Sequence, residues 1–254
     1  MRTESLRPFT VAAVPAQRFL WPQSFDRVHA EQWARRDRAF LVMINSNKLP
    51  RLYFQELYTK RLAAVEYFHR FGEVDLYGPN WQQAPWRVGR TWVPGVVRRR
   101  YRQSGLEGVV WRLRQRIAPD ALYVAAAAAH RGVAASKPDT LSRYTFALCF
   151  ENMVLPGWMT EKLFDCLCAG TVPVYWGAPD VTDWVPSDCF VDVRRFANFA
   201  ELRAFLHALS PGEIACYREA GRAFVESERF TPFRMATFSS MIERIVAEDA
   251  AALP

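Results

Sequence analysis

No window of this chain approaches the run of about 20 apolar residues that a membrane-spanning helix needs. The longest run of small apolar residues, Val124 to Ala129, is far too short. The opening, MRTESLRPFT, has no apolar stretch of the secretory-signal kind. Cysteine is sparse and odd in number, with five residues at Cys149, Cys166, Cys168, Cys189 and Cys216. They lie mostly within apolar patterns, which describes reduced core thiols and no disulfide framework. Cys166 and Cys168 form no metal knuckle, because a C-x-C inside a helix points its sulfurs apart and no second pair follows. His29, His69, His130 and His207 have no spacing suited to a metal or a triad, and Asp180 to Asp183, DVTD, is not a DxD motif. There is no internal repeat.

Acidic charge is nearly missing from one stretch. Of the 33 basic residues nine are arginines between Arg87 and Arg116, where Glu107 is the only acid. Trp86, Trp92, Tyr101 and Trp111 are interleaved with them. Three readings stay open: a solvated Arg-rich insertion, contact with anionic lipid or a lipid-linked acceptor, or contact with nucleic acid. The segment has neither an RNP-type aromatic strand nor a GXXG loop.

With 254 residues, half of them apolar, the chain can bury one large core. Hydrophobic patterning predicts strands at Phe40 to Ile44, Val74 to Tyr77, Thr145 to Phe150, Thr171 to Tyr175 and Phe190 to Val193. Helices are predicted at Phe54 to Arg70, Glu161 to Ala169, Phe199 to Leu209, Pro211 to Glu226 and Pro232 to Ala247. Residues 79 to 120, rich in Pro, Gly and Arg, read as an excursion with one helix near Val109 to Ile117. Strands alternating with helices imply an α/β fold with a doubly wound, mostly parallel sheet.

The joint from Glu151 to Lys162 is where such a fold places ligands. Glu151 and Asn152 stand at the carboxyl end of a strand. Thr160 is placed to N-cap the next helix, whose first turn carries Glu161 and Lys162, and Gly170 closes it. A carboxylate there can bind ribose hydroxyls, and a lysine beside free N–H groups at a helix N-terminus can bind phosphate. The competing reading makes Glu161 and Lys162 ordinary first-turn surface residues.

The run FALCFEN, a Pro-Gly loop, an aromatic residue, TEK, LFD and AGTVPVYWGAP resembles the signature of glycosyltransferase family 10, the α-1,3/4-fucosyltransferases that use GDP-fucose. VMINSNK, LYTKRLAAVEYF, VDLYG, KPDTLSRY and DCFVDVRRF resemble the same family in the same order, over about residues 38 to 240. The resemblance implies a Rossmann-like, donor-binding C-terminal half of a GT-B glycosyltransferase. It implies inverting transfer of fucose to a glycan hydroxyl without a metal cofactor. Arg61 and Lys162 are matched to the contacts with the donor diphosphate, and Glu161 to the ribose contact. Glu151 and Asn152 are matched to the donor site after the FEN strand, with Asn47 and Lys48 as base or phosphate candidates. Trp158 replaces the usual tyrosine, which keeps stacking and loses a phenol hydrogen bond. Tyr175 and Trp176 read as core and pocket wall.

The same resemblance divides the chain. Residues 1 to 37 read as a linker or remnant of an acceptor domain, and residues 38 to 247 as the GDP-sugar-binding domain with the Arg-rich insertion at 79 to 120. The family's general base belongs to the acceptor half, so no catalytic base is assigned within this chain. The alternative function is a nucleotide-sugar-binding module that is catalytically incomplete. Expected partners are GDP-fucose, a glycan acceptor, a membrane surface in peripheral contact and further copies of the chain. With family relatives that carry an N-terminal anchor as the contrast, the expected setting is a bacterial cytoplasm.

Overall fold

The computed structural model describes residues 20–48, 55–81 and 121–252. The chain opens with a short helix α1 (Ala30–Ala34), followed by strand β1 (Ala39–Ile44), helix α2 (Tyr58–His69) and strand β2 (Val74–Tyr77). Helices α3 (Ala121–Ala129) and α4 (Lys137–Ser142) then lead to β3 (Tyr144–Phe150), α5 (Glu161–Ala169) and β4 (Val172–Trp176). Strand β5 (Val191–Asp192) and helices α6 (Phe199–Ala208), α7 (Pro211–Val225) and α8 (Met235–Ala252) complete it.

Five strands form one sheet in the order β2-β1-β3-β4-β5, and every pairing is parallel. Parallel strands joined by crossover helices are covered on both faces, which is why β3 reads YTFALCF with hardly a polar residue. Successive residues point to opposite faces and split the core in two. Leu41, Met43, Phe146, Leu148 and Val174 meet Leu62, Val65 and Phe68 of α2, Ala126 and Ala129 of α3, and Leu202 and Leu206 of α6. Val42, Ala147, Cys149 and Tyr175 meet Leu163, Phe164 and Leu167 of α5, Phe224 of α7, and Phe230 and Phe233. Helices on both faces of a parallel sheet make the doubly wound α/β architecture that the patterning implied.

The differences from that patterning have physical causes. Helix α2 begins at Tyr58 rather than Phe54, a residue outside those described. The terminal helix begins at Met235, because Pro232 lies inside a 3-10 turn, Glu228–Phe233, that turns Phe230 and Phe233 into the core. Helix α3 was not read from sequence at all, although five consecutive alanines favour helix strongly. The helix sought near Val109 to Ile117, with the Arg-rich segment around it, lies outside the described residues. Four cysteines are buried and free as expected, whereas Cys216 is exposed. Cys166 and Cys168 do point apart: Cys166 Sγ lies 3.1 Å from Cys149 Sγ, and Cys168 Sγ turns to the Arg27 carbonyl. Among the described residues, no helix is long and apolar enough to cross a membrane.

Candidate functional site

Strand order fixes where a ligand crevice opens. From β1 the chain moves outward to β2, then returns to β3 on the other side of β1 and continues to β4 and β5. The carboxyl ends of β1 and β3 are therefore the switch point, where loops leave in opposite directions and part from each other. Helices α2 and α5 begin at this edge, so their N-termini face it.

Glu151, the first residue after β3, is entirely buried. Its carboxylate accepts hydrogen bonds from the Thr160 backbone N–H at 2.8 Å and from Thr160 Oγ1 at 3.0 and 2.8 Å. Lys162 Nζ donates to the same carboxylate at 2.9 Å and to Thr160 Oγ1 at 2.8 Å. Thr160 occupies the N-cap position of α5 but makes no side-chain cap bond to its helix. Its hydroxyl serves Glu151 instead. Glu151 thus fixes the first turn of α5 against β3 and pairs with Lys162, whose side chain keeps 14% exposure. In this geometry Glu151 reaches a ligand only through Lys162 and Thr160. Space for its side chain is kept by Gly177, where a Cβ would lie 2.5 Å from Glu151 Cγ and 2.4 Å from the Tyr175 hydroxyl oxygen.

Arg61, one turn into α2, is also buried. Its Nε and Nη2 donate to the Phe150 carbonyl at 3.1 and 2.6 Å, and Nη2 donates to Asn152 Oδ1 at 2.9 Å. The guanidinium stacks over Tyr58 at 4.7 Å. The backbone joins the same parts, with Leu57 N–H bonded to the Asn152 carbonyl at 3.0 Å and Val154 N–H to the Gln55 carbonyl at 2.8 Å. Arg61 thereby grips Phe150 and Asn152, the residues on either side of Glu151, at the end of β3.

Glu161 is half-exposed, with 41% side-chain exposure, and sits 3.6 Å from Lys137 Nζ. Lys137, at the start of α4, also pairs closely with Asp165, which is one turn further along α5 from Glu161. Burial works against the Glu161 carboxylate, but the charges of Lys162 and Lys137 outweigh it and hold Glu161 below the usual carboxylate range. Burial likewise opposes the Lys137 ammonium, and Asp165 and Glu161 more than compensate, raising it above the usual lysine value.

The remaining sequence candidates divide. Trp158 stands 40% exposed in the loop before α5. That loop is held by a hydrogen bond from Gly157 N–H to Asp180 Oδ1 at 2.8 Å, so the DVTD segment supplies an anchor. Asn47 does not join the α5 cluster through any hydrogen bond; it bonds back to the loop after β2, at the Pro79 and Asn80 carbonyls. Lys48 is exposed beyond it. Tyr175 is core, its hydroxyl accepting from the Ala178 N–H, and Trp176 forms a half-buried wall with Lys60 Nζ 5.8 Å over its ring. Sequence reasoning missed Thr160 as a hub and Lys137 altogether. Lys137 lay in plain view in KPDTLSRY, but nothing local tied it to Glu161.

A buried carboxylate pairs a lysine at a helix N-terminus, beside a buried arginine, at the switch point of a parallel sheet, the edge where α/β domains take their ligands. The chain belongs to glycosyltransferase family 10: the model of that family's fucosyltransferase C-terminal region matches residues 91–219, just over half of the 254. The chain is 39% identical over 75 residues to an alpha-(1,4)-fucosyltransferase of Arabidopsis thaliana, covering 30% of this chain and 19% of that protein. It is 43% identical over 74 residues to the GDP-fucose protein O-fucosyltransferase 3 of Xenopus laevis, covering 29% and 16%. It is 44% identical over 66 residues to the alpha-(1,3)-fucosyltransferase FucT of Helicobacter pylori, covering 26% and 14%. The matches thus span less than a fifth of the length of these relatives. A solved alpha1,3-fucosyltransferase with GDP-fucose aligns with 73% of this chain and 39% of its own, at 20% identity and a TM-score of 0.45.

Proposed function

We propose that this domain binds GDP-fucose and serves inverting transfer of fucose to a glycan hydroxyl, as the donor-binding half of a GT-B fucosyltransferase. The observation that carries the reading is the Glu151–Thr160–Lys162 cluster. It holds a cation at the N-terminus of α5, on the switch-point edge, within the residues matched by the family model. A diphosphate leaving group gathers negative charge as the bond to the sugar breaks. Lys162, the first-turn N–H groups of α5 and the buried Arg61 place fixed positive charge at this edge, where that charge develops. Fixed cations of this kind can do the neutralising work that a divalent ion does elsewhere, so donor binding is proposed to be metal-independent. Glu161, held as a carboxylate, is the group proposed for the ribose hydroxyls, and Trp158 for stacking. The acceptor hydroxyl attacks the anomeric carbon from the face opposite the departing GDP, which inverts the centre.

Calorimetry of the 254-residue chain with GDP and GDP-fucose in EDTA tests the reading. Binding is expected in chelator, and GDP binding that needs an added divalent cation would overturn the metal-free part. Failure to bind either nucleotide, with or without metal, would overturn the whole.

A further inference from the structure

We infer that Lys137 is a positioning residue for the donor site: its ammonium aims the Glu161 carboxylate for recognition of a vicinal diol. The inference deepens the proposed function and rests on it. Glu161 and Asp165 stand one turn apart on the same face of α5, and Lys137 reaches across from α4 to both. Asp165 is the closer partner and only 18% exposed, so it anchors the ammonium; Glu161, at 3.6 Å and 41% exposed, lies on the open side. The two helices are locked relative to each other: α4 is capped by Ser136, whose hydroxyl accepts from the Asp139 N–H, and Thr171 Oγ1 bonds to the Leu141 carbonyl at its far end. Lys137 is therefore a fixed post rather than a roaming surface chain.

A carboxylate that must accept hydrogen bonds from two neighbouring hydroxyls has to present both oxygens at a set angle and stay ionised. Lys137 Nζ lies 3.6 Å from Glu161 Oε1, a fixed positive charge on one side of the carboxylate that favours its ionised form and the orientations that stay near the ammonium. Lys162 follows directly in sequence but is turned to Glu151, so it cannot provide that restraint. The arrangement is an Asp-Lys-Glu relay, in which Asp165 places Lys137 and Lys137 places Glu161. The ligand chemistry it fits is the ribose 2′,3′-diol of a nucleoside diphosphate.

The test compares GDP with 2′,3′-dideoxy-GDP by calorimetry on the wild-type chain and on Lys137→Met, Lys137→Arg, Glu161→Gln and the double variant Lys137→Met/Glu161→Gln, with thermal melts of each. The wild type is expected to prefer GDP. Lys137→Met should lose about tenfold in GDP affinity with little change for the dideoxy ligand, Lys137→Arg should recover most of it, and the double variant should bind GDP no worse than Glu161→Gln alone. Equal losses for both ligands in Lys137→Met would mean that Lys137 merely holds α4 to α5 and would overturn the inference. Unchanged GDP affinity in Lys137→Met would overturn it too. Wild-type protein that binds neither nucleotide removes the proposed function and this inference together, and is distinguishable from both of those results. If Lys137→Met fails to fold, Asp165→Asn, which releases the ammonium from its anchor, must show the same diol-selective loss.

Discussion

Glu151 is an entirely buried acid with three protein donors, so its value to the molecule depends on its partners. Replacing it with Gln removes the charge that holds Lys162 and leaves an ammonium at 14% exposure without its counterion. Breaking a buried pair from one side typically costs about 3 to 5 kcal/mol. Glu151→Gln is accordingly expected to lower the melting temperature markedly, measured by circular dichroism, and a melt within one degree or so of wild type would contradict the hub role. Lys162→Ala removes the cation proposed to meet the diphosphate. Charge-assisted bonds are worth about 1.5 to 3 kcal/mol, so GDP affinity in EDTA should fall by at least tenfold. Since this variant also unpairs Glu151, its melt must be read beside its binding.

Glu161 gives a pH signature of known sign. Its carboxylate is held below the usual carboxylate value near 4.5, after Lys162 and Lys137 outweigh the cost of burial. A depressed folded-state pKa contributes stability that is present above the unfolded value and is lost as pH falls through the folded one. The difference in melting temperature between wild type and Glu161→Gln should therefore be visible at neutral pH, shrink as pH falls below the usual carboxylate value near 4.5, and be lost once pH has fallen through the lower folded-state value. A difference that grows on acidification would contradict the assignment.

Helix α5 shows how an element is ended and aimed. Gly170 adopts the left-handed conformation at φ 66° and lies against Trp33, whose Cδ1 would be 2.8 Å from a Cβ placed there. Both the backbone and the neighbour therefore demand glycine. Gly170→Ala is expected to destabilise the fold without changing GDP affinity at a temperature where the variant is folded, because the strain lies at the end of α5 remote from Lys162. Loss of nucleotide binding by well-folded Gly170→Ala would mean that the two ends of the helix are coupled. At its other end α5 departs from the usual pattern. Thr160 makes no side-chain bond to its own helix and serves Glu151 instead, so the first turn of α5 lacks the side-chain cap a threonine usually supplies there.

At the scale of the whole molecule, α8 carries three of the eight exposed large apolar side chains among the described residues, and Trp158 stands exposed in the loop before α5. Met235, Ile242 and Val246 are 45%, 42% and 62% exposed, and Trp158 is 40% exposed. Exposed apolar faces of this kind are usually covered by something. Self-association is expected to show in light scattering as a species that persists at high salt, and Ile242→Glu/Val246→Glu should dissolve it. Association that disappears with salt would point instead to charge, for which the arginines between Arg87 and Arg116 are the natural source.

Much of this was decided by local sequence. Apolar runs bounded by turn residues determined the order of strands and helices, because a strand buried on both faces has no room for polar side chains, and α5 was legible to the residue from Glu161 to Gly170. The motif between Phe146 and Pro179 singled out Glu151 and Lys162, and the LYTKRLAAVEYF segment singled out Arg61, as expected members of one site. What each does there was decided only by tertiary structure. Glu151 became a buried hub, Arg61 a clamp on the end of β3, and Lys137 a post for Glu161, while Asn47 turned away to the loop after β2. The reason is that a side chain's role depends on which partners reach it. Those partners come from positions up to 91 residues away, as Arg61 and Asn152 do. Sequence spacing records such distances only after parallel pairing has set the strand ends side by side.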